Sequence, residues 1–466
     1  MTQRPDGTVN VLVPTGALGA GVRAADVEAG LAGNPHAIAC DAGSTDSGPA
    51  YLATGRAKYS RDAVKTDLGI LMRAQAKTGI PLLIGSCGTS GSDMALDWMR
   101  DIAIEIAHEQ GLQPTIALLY SEQSPALMRQ KAAAGLITPL APMTDADPAL
   151  FARCEHIVAL MGPEPYMAAL EAGADIVLGG RTTDTAVLAA LPLLRGMGAG
   201  ASWHAGKIAE CGGLCAVHSR MGGVMIRVGK DAFEVEPLAA ANQCTPRTVS
   251  AHMLYENSDP FFLHEPGGVL DVSNARYEAI DARVVRSSGA RFDVKPYTMK
   301  LEGASAGAFQ TIMLVGILDR AVLRELDRFI AQMHQTLVGR VNDTIGASAG
   351  NFDISLRAYG ANAVSGLPRA ADAPVPEEVG LLFVATASTQ DLATRIAKTC
   401  NPLFFHMPLN PDTPLPSYAF PFSPAEIERG AAYDFLINHV VHVKNGLELV
   451  RTEYINLKEM QHAQAE

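Results

Sequence analysis

Aromatic residues and long apolar runs are both scarce in this chain. Aromatics make up 6% of its 466 residues, whereas 43 are glycine. This composition favours helices packed closely on a sheet, and loops whose backbone approaches other groups. No uncharged apolar stretch of about 18 residues occurs, so no membrane-spanning helix is predicted. The N-terminus lacks the apolar core of a signal peptide, and we expect a cytoplasmic protein.

Positive charge is also limited. The chain has 37 Lys and Arg against 49 Asp and Glu, a net charge of −12, and no basic block. Nucleic acid and membrane surfaces are therefore not expected as partners. A small anionic substrate is compatible with this charge, because one arginine or helix N-terminus can hold an anion locally. We also expect a homo-oligomer.

Recognisable cysteine and nucleotide-binding patterns are missing. The seven cysteines are odd in number and scattered, which argues against a disulfide framework. The segment GSCGTSGSD (85–93) resembles a phosphate loop in composition, but it has neither the GxxxxGK[ST] lysine nor the GxGxxG spacing. NAD, FAD and ATP are therefore not expected. A divalent metal is compatible with the acidic residues, although no spacing requires one.

Short apolar runs alternate with amphipathic helices through the first half of the chain. Continuous apolar strands that alternate with helices predict a parallel sheet covered on both faces. We therefore predict an α/β domain over residues 1–225, with a doubly wound, mostly parallel sheet of about six strands. Six units rather than eight argue against a barrel. The runs are 9–16, 37–44, 81–88, 114–122, 156–162 and 175–182.

The pattern changes in the second half. Residues 222–237 read as a hairpin with GKD at its turn. We predict an irregular connecting segment with a site loop over 226–296. Strands and helices then follow in the order βαββαβ, which predicts an α+β ferredoxin-like sandwich over 297–466.

Polar side chains gather where the first-half strands end. In a parallel sheet these ends meet at one rim, where ligands bind. The alternative is that these residues only form caps and turns. The candidates for catalysis are Asp41, Asp46 and Glu122, and those for substrate binding are Ser44, Thr45, Ser86, Cys87, Thr89, Arg181, Thr182, Thr183 and Asp184.

Two of these positions have a specific chemical interpretation. In GGRTTDT (179–185), a helix N-terminus and Arg181 could hold a carboxylate or phosphate; alternatively Arg181 pairs with a neighbouring acid. Cys87 lies at a strand end before a predicted helix, whose N-terminus would lower the thiol pKa and make a nucleophile. The alternative for Cys87 is a buried, inert thiol.

Three further segments carry candidate residues. Residues 203–215 hold His204, Lys207, Glu210 and Cys211 within two helical turns. His204 and Glu210 are acid–base candidates, but CxxxC is a weak metal signal and a buried packing helix is the alternative. The loop 255–271 adds Glu256, His264 and Glu265, which could act as acid–base groups or bind a divalent metal; the alternative is a surface loop held by proline and glycine. Lys300 either reaches a substrate or forms a surface pair with Glu302.

Eight segments together resemble the acyclic terpene utilisation protein A family, in the family's order and from about residue 11 to 443. The chain resembles a sister branch to the terpene-cluster members. The resemblance implies a bacterial cytoplasmic protein, of the kind often encoded beside carboxylate uptake systems and acyl-CoA enzymes, and it implies no particular catalytic residue. The segments are LVPTGALGAGV, DAGSTDSGPAYLATG, GGRTTDTAVLAALPLLRG, WHAGKIAECGGLCA, LYENSDPFFLHEPGGVLD, YTMKLEGA, ATASTQDLATRIA and AFPFSP.

These observations favour an enzyme of small-carboxylate catabolism, either a hydratase-type lyase or an isomerase acting on an organic acid or its acyl thioester. Arg181 would clamp the anion, and the acids would move protons. One alternative is a non-catalytic subunit of a carboxylate or acyl-CoA enzyme complex. Another is an amidohydrolase or thioesterase that uses Cys87.

Overall fold

The computed structural model describes residues 7–145, 147–370 and 372–459. The chain forms two compact units. Unit 1 comprises Met1–Ser305 and Phe435–Glu466, and unit 2 comprises Ala306–Asp434. This division differs from the predicted boundaries at 225 and 296. The reason is that strands of the segment 226–296 pair with the N-terminal sheet, so the segment belongs to unit 1.

Twenty strands occur in the described residues. The first ten are β1 (Val9–Val13), β2 (Ala37–Asp41), β3 (Leu82–Gly85), β4 (Thr115–Tyr120), β5 (Ile137–Pro139), β6 (His156–Ala159), β7 (Ile176–Gly179), β8 (Val224–Val228), β9 (Ala232–Pro237) and β10 (Phe262–Glu265). The others are β11 (Gly268–Asp271), β12 (Arg276–Ala279), β13 (Val285–Ser288), β14 (Arg291–Val294), β15 (Thr298–Ile317), β16 (Asp353–Tyr359), β17 (Val379–Ala387), β18 (Tyr418–Ala419), β19 (Ile427–His442) and β20 (Arg451–Asn456).

Thirteen α-helices accompany these strands in the described part of the chain. They are α1 (Ala24–Leu31), α2 (Ala50–Thr54), α3 (Arg61–Thr78), α4 (Asp93–Gln110), α5 (Pro125–Ala133), α6 (Pro148–Arg153), α7 (Glu164–Glu171), α8 (Asp184–Leu194), α9 (Ala199–Ala209), α10 (Pro246–His252), α11 (Arg320–Arg324), α12 (Leu326–Ile345) and α13 (Gln390–His406). None of them, within the residues described, is both long enough and apolar enough to cross a membrane.

A ten-stranded sheet forms the centre of unit 1, in the order β12-β13-β9-β8-β1-β2-β3-β7-β4-β20. The five strands β1, β2, β3, β7 and β4 are parallel. The flanking strands are antiparallel, including the predicted hairpin of β8 and β9. Both faces of the sheet are covered. Successive strand residues such as Val11 and Leu12 point to opposite faces, and they belong to two different apolar clusters. The predicted mixed α/β class is confirmed.

One predicted strand lies outside the parallel sheet. The apolar run at 156–162 forms β6, which pairs antiparallel with the first part of β15, with Ala159 opposite Leu301. The parallel part of the sheet therefore has five strands instead of about six. An apolar run indicates a buried strand, but it does not indicate which neighbour will accept its hydrogen bonds.

Unit 2 is built around an antiparallel sheet. The C-terminal part of β15 pairs with β17, and β17 pairs with β16. The helix α12 buries Phe329, Met333 and Leu337 at helical spacing in the core of the unit. Apart from the short helix α11 and the two-residue strand β18, the elements follow one another as strand, helix, strand, strand, helix and strand, which is the expected order. The assignment to the ferredoxin-like class stays a prediction.

Candidate active site at the carboxyl ends of the parallel strands

Arg181 connects the ends of three parallel strands in unit 1. Its Nε donates to Glu302 Oε2 at 3.0 Å, Nη1 donates to Ser86 Oγ at 3.2 Å, and Nη2 donates to Thr45 Oγ1 at 3.2 Å. The Thr45 hydroxyl also donates to Glu302 Oε2, at 2.9 Å. Residues that follow β2, β3 and β7 therefore meet at one rim, as parallel strand ends should.

The contacts of Arg181 do not support a free anion clamp. Arg181 is 4% exposed and Glu302 is 3% exposed, so the two form a buried ion pair. Burial alone would raise the pKa of Glu302, but Arg181 and Lys300 lower it to about 2. Lys300 Nζ lies 2.8 Å from Glu302 Oε1. Of the two interpretations of Arg181, pairing with an acidic side chain is therefore the observed one. The acid is Glu302 of β15 and is distant from Arg181 in the sequence.

Asp41 closes β2 as a buried carboxyl group. Its Oδ2 accepts the backbone N–H of Gly43 at 2.9 Å, and its Oδ1 has no hydrogen-bond partner among the described residues. Burial and nearby Asp184 raise its pKa well above the ordinary value, against the opposing effect of Arg181. Asp41 thus orders the loop after β2, and its burial favours the protonated form of the carboxyl group.

The N-terminus of α8 presents the carboxyl group of Asp184 to this rim. Thr183 is the N-cap residue, while Thr182 is fully buried and its hydroxyl lies 2.8 Å from the Tyr166 hydroxyl. Burial is the largest influence on Asp184 and raises its pKa to about 6. The charged groups that act on Asp184, in order of influence, are Arg181, Asp46, Lys207 and Glu256.

The end of α9 adds a second buried ion pair. The Lys207 ammonium donates to Glu210, and the Thr185 hydroxyl donates to Glu210 Oε2 at 3.3 Å. Lys207 is 5% exposed and Glu210 is 6% exposed. Burial raises the pKa of Glu210 to about 8, even though Lys207 opposes the shift. Such a pKa close to neutrality is typical of functional sites, although structural ion pairs also produce it.

Glu265 brings another carboxyl group from β10. It lies beside the hydroxyls of Thr183 and Thr185, and its Oε2 is buried without a hydrogen-bond partner among the described residues. Burial raises its pKa to about 7 against the lowering effect of those hydroxyls. Glu265 and His264 were both predicted candidates, but His264 is exposed, because neighbouring strand residues face opposite sides.

We use the name rim cluster for the charged residues that these contacts bring together. A cleft of about 650 Å³ adjoins this cluster through Cys211, the residue that follows Glu210. The cleft is also lined by the loop after β1 and by Arg23, Arg220 and Tyr255. Its volume is typical of small-molecule sites. The rim cluster consists of Asp41, Arg181, Asp184, Lys207, Glu210, Glu265 and Glu302.

Glu122 makes structural contacts beside the sheet. One oxygen accepts the backbone N–H of Asp93 at the start of α4, and the other lies 2.7 Å from His156 Nδ1. The hydrogen bond to Glu122 is the largest influence on His156 and raises its pKa. His156 did not stand out in the sequence, because a single histidine in an apolar run gives no signal of its partner.

Several other predicted residues form local hydrogen bonds or are buried in the core. The Ser44 hydroxyl donates to Asp46 at 2.7 Å, and Thr89 accepts the backbone N–H of Lys58 at 2.9 Å. Cys87 is fully buried, and its burial raises the thiol pKa well above the ordinary value. Of the two interpretations of Cys87, the buried thiol is therefore the observed one, because the sulfur lies inside the apolar core and burial outweighs any lowering of its pKa by a helix N-terminus.

His204 and Glu256 lie in contrasting surroundings. His204 is fully buried, 3.0 Å from the Tyr277 hydroxyl, and burial lowers its pKa to about 3. It therefore packs in the core as a neutral ring. Glu256 is exposed on a backbone with a φ of 55°, and its charge raises the pKa of Asp184.

Fold and side-chain contacts together define a mixed α/β protein with an acid-rich candidate site at the ends of its parallel strands. A model of the acyclic terpene utilisation family protein AtuA matches residues 49–416. The chain belongs to this family, as its eight segments predicted, and membership suggests a part in acyclic terpene utilisation. No curated protein and no solved structure matched the chain.

Proposed function

We propose that the protein is a hydratase-type lyase or an isomerase that moves a proton on a small organic acid or its acyl thioester. The observation that carries this proposal is the placement of Asp184 and Glu265 at one helix N-terminus beside Lys207. Two carboxyl groups held in different environments can serve as base and acid in one reaction.

The surroundings of the two carboxyl groups suggest the roles: Arg181 lies 3.9 Å from Asp184 and favours its ionised form, whereas Glu265 has a buried oxygen without a hydrogen-bond partner among the described residues. With a pKa of about 6, Asp184 is the carboxylate that accepts a proton from the substrate carbon or from water. With a pKa of about 7, Glu265 retains a proton that it donates to the opposite end of the reacting bond. The N-terminus of α8 stabilises the negative charge that develops on the substrate, and Lys207, which is paired with Glu210, adds positive charge nearby.

The cleft offers groups suited to the rest of such a substrate. Arg23 and Arg220 line it, whereas Arg181 and Glu302, which form the buried pair, are not among its lining residues. An arginine fork matches the geometry of a carboxylate or phosphate. We therefore assign anion binding to the cleft arginines and a positioning role to Arg181. A homo-oligomer stays a prediction.

Proton exchange in deuterated water tests the proposal directly. A panel of unsaturated and hydroxylated di- and tricarboxylates is incubated with the protein, and exchange at carbon is followed by NMR. Asp184→Asn should lower kcat/KM by about 10²–10⁴-fold, the usual contribution of general acid–base catalysis. Asp62→Asn is the matched control, since Asp62 is an exposed aspartate in the first turn of α3.

The pH profile provides a second readout of the same pair. As the pH rises, kcat/KM should increase through about 6, where Asp184 ionises, and decrease above about 7, where Glu265 loses its proton. Absence of exchange with every acid in the panel would contradict the proposal and favour the non-catalytic subunit. Full activity in Asp184→Asn would show that Asp184 is not the catalytic base.

A further inference from the structure

Three different ligand atoms lie together beside the cleft. A carboxylate oxygen of Glu210, the sulfur of Cys211 and a ring nitrogen of His252 lie within 4.8 Å of one another. Glu210 and Cys211 directly follow α9, and His252 is the last residue of α10. Two helix ends, 41 positions apart between Cys211 and His252, therefore supply the group.

His252 carries a nitrogen that lacks a partner. Its side chain is buried at 5% exposure, and Nε2 has no hydrogen-bond partner among the described residues. The ring of Tyr255 stacks on the imidazole at 5.5 Å with an interplanar angle of 19°, which fixes the plane of the ring. A buried nitrogen left unpaired is costly, and a ligand bound at this position would remove that cost.

We propose that Glu210, Cys211 and His252 bind one transition-metal dication, with Zn²⁺ as the best match. Thiolate and imidazole ligands suit Zn²⁺, whereas Mg²⁺ and Ca²⁺ prefer sites made wholly of oxygen atoms. Cys211 lines the cleft, so a fourth coordination position would open toward it. Three protein ligands with one open position are typical of catalytic zinc.

The neighbouring contacts define how such an ion would be held. The Thr185 hydroxyl donates to Glu210 Oε2 at 3.3 Å, which orients the carboxylate as outer partners of metal ligands do. The Lys207 ammonium contacts the other oxygen of Glu210. Lys207 therefore competes with the ion for this carboxylate, and its positive charge repels a dication. Removing that charge should strengthen metal binding.

Cobalt titration of the full chain tests the site without any assay of turnover. Protein stripped with a chelator should bind one equivalent of Co²⁺ and develop a thiolate-to-cobalt charge-transfer band, and Zn²⁺ should displace it. Cys211→Ser should abolish the band. His252→Gln should weaken binding at least about 100-fold, beyond the loss of about 10–100-fold that changes in outer partners cause. Lys207→Met should bind more tightly.

Two control variants separate ligand loss from general damage. Cys154→Ser keeps a donor for the Leu150 carbonyl that the Cys154 thiol contacts at 3.4 Å, and His218 is an exposed histidine on a loop. Both Cys154→Ser and His218→Gln should retain the band. Circular dichroism establishes whether each variant is folded. If His252→Gln is not folded, Cys211→Ser and Lys207→Met still test the metal site.

Binding of less than one equivalent by the wild-type protein would overturn the proposal. So would an unchanged band in Cys211→Ser, or a loss in Cys154→Ser equal to that in Cys211→Ser. The site does not rest on the proposed reaction. A protein that binds cobalt as described but exchanges no substrate proton keeps the metal site and loses the proposed function.

Discussion

At the scale of single residues, Arg181 shows how burial changes the role of a charged side chain. An exposed arginine at a helix N-terminus would be available to an anion, but this guanidinium is bonded to Glu302, Ser86 and Thr45. A buried charge without a counterion is strongly unfavourable. The pair therefore holds three strand ends and β15 in place.

Glu302→Gln tests how much this ion pair contributes to the stability of the folded protein. The substitution leaves Arg181 buried with an uncompensated charge, and the free energy of unfolding should fall by about 3–5 kcal/mol. Urea unfolding measures this loss. The matched control is Glu325→Gln, which breaks an exposed pair with Arg328 at 2.7 Å. The control should cost less than about 1 kcal/mol, and an equally small loss in Glu302→Gln would contradict the buried pair.

The same variant has a defined pH dependence. The pKa of Glu302 in the folded protein, about 2, lies below its ordinary value of 4.5. A lowered pKa contributes stability that is fully present above 4.5 and is lost as the pH falls through about 2. The difference in stability between wild type and Glu302→Gln should therefore shrink within this acidic window.

The sequence predicted some residues of the site and missed others. Arg181, Thr45 and Ser86 were predicted because they follow apolar strands, and the structure brings them together. In the loop 255–271 both His264 and Glu265 were candidates, whereas only Glu265 faces the cluster. Period-two alternation separates the two positions, but a short strand does not reveal which of its faces is buried.

At the scale of elements, the loop between β3 and α4 depends on a close approach of two backbones. Gly91 has a φ of 62°, and a Cβ atom placed there would lie 2.2 Å from the backbone nitrogen of Arg181. Only glycine combines this conformation with this contact at low cost. The glycines of GSCGTSGSD therefore have a packing reason that needs no phosphate.

Gly91→Ala tests this reading. The new methyl group collides with backbone that cannot swing aside, so overpacking should cost about 1–3 kcal/mol in addition to the strain of positive φ. Gly111→Ala is the matched control, with a φ of 65° and no atom within 4 Å of the added Cβ. Chemical denaturation of both variants measures the difference, and equal losses would show that the contact at Gly91 is unimportant.

Strand positions were easier to predict than strand partners. The apolar runs at 37–44 and 175–182 became β2 and β7 of the parallel sheet, and the hairpin of β8 and β9 has its turn at the expected place. The similar run at 156–162 instead pairs with β15. A run of apolar residues indicates that a strand will be buried away from water. It does not indicate which other strand will pair with it through backbone hydrogen bonds.

At the scale of the whole molecule, packing leaves one thiol within reach of solvent. Of the seven cysteines, all free, Cys211 has intermediate exposure and the other six are buried. We expect one thiol to react quickly with a chromogenic disulfide reagent in the native protein, and all seven to react in denaturant. Cys211→Ser should remove the fast reaction. Several fast thiols in the native protein would contradict the described core.

The chain itself determined the mixed α/β class, the order of most elements and the family, because periodicity, turn residues and local motifs are properties of neighbouring positions. Only the tertiary structure decided that residues after 434 return to unit 1, and that Glu302 neutralises Arg181 across 121 positions. Which charges are buried, and which partners then compensate them, depends on contacts between distant segments. A charge has a high energetic cost only once such contacts have excluded water.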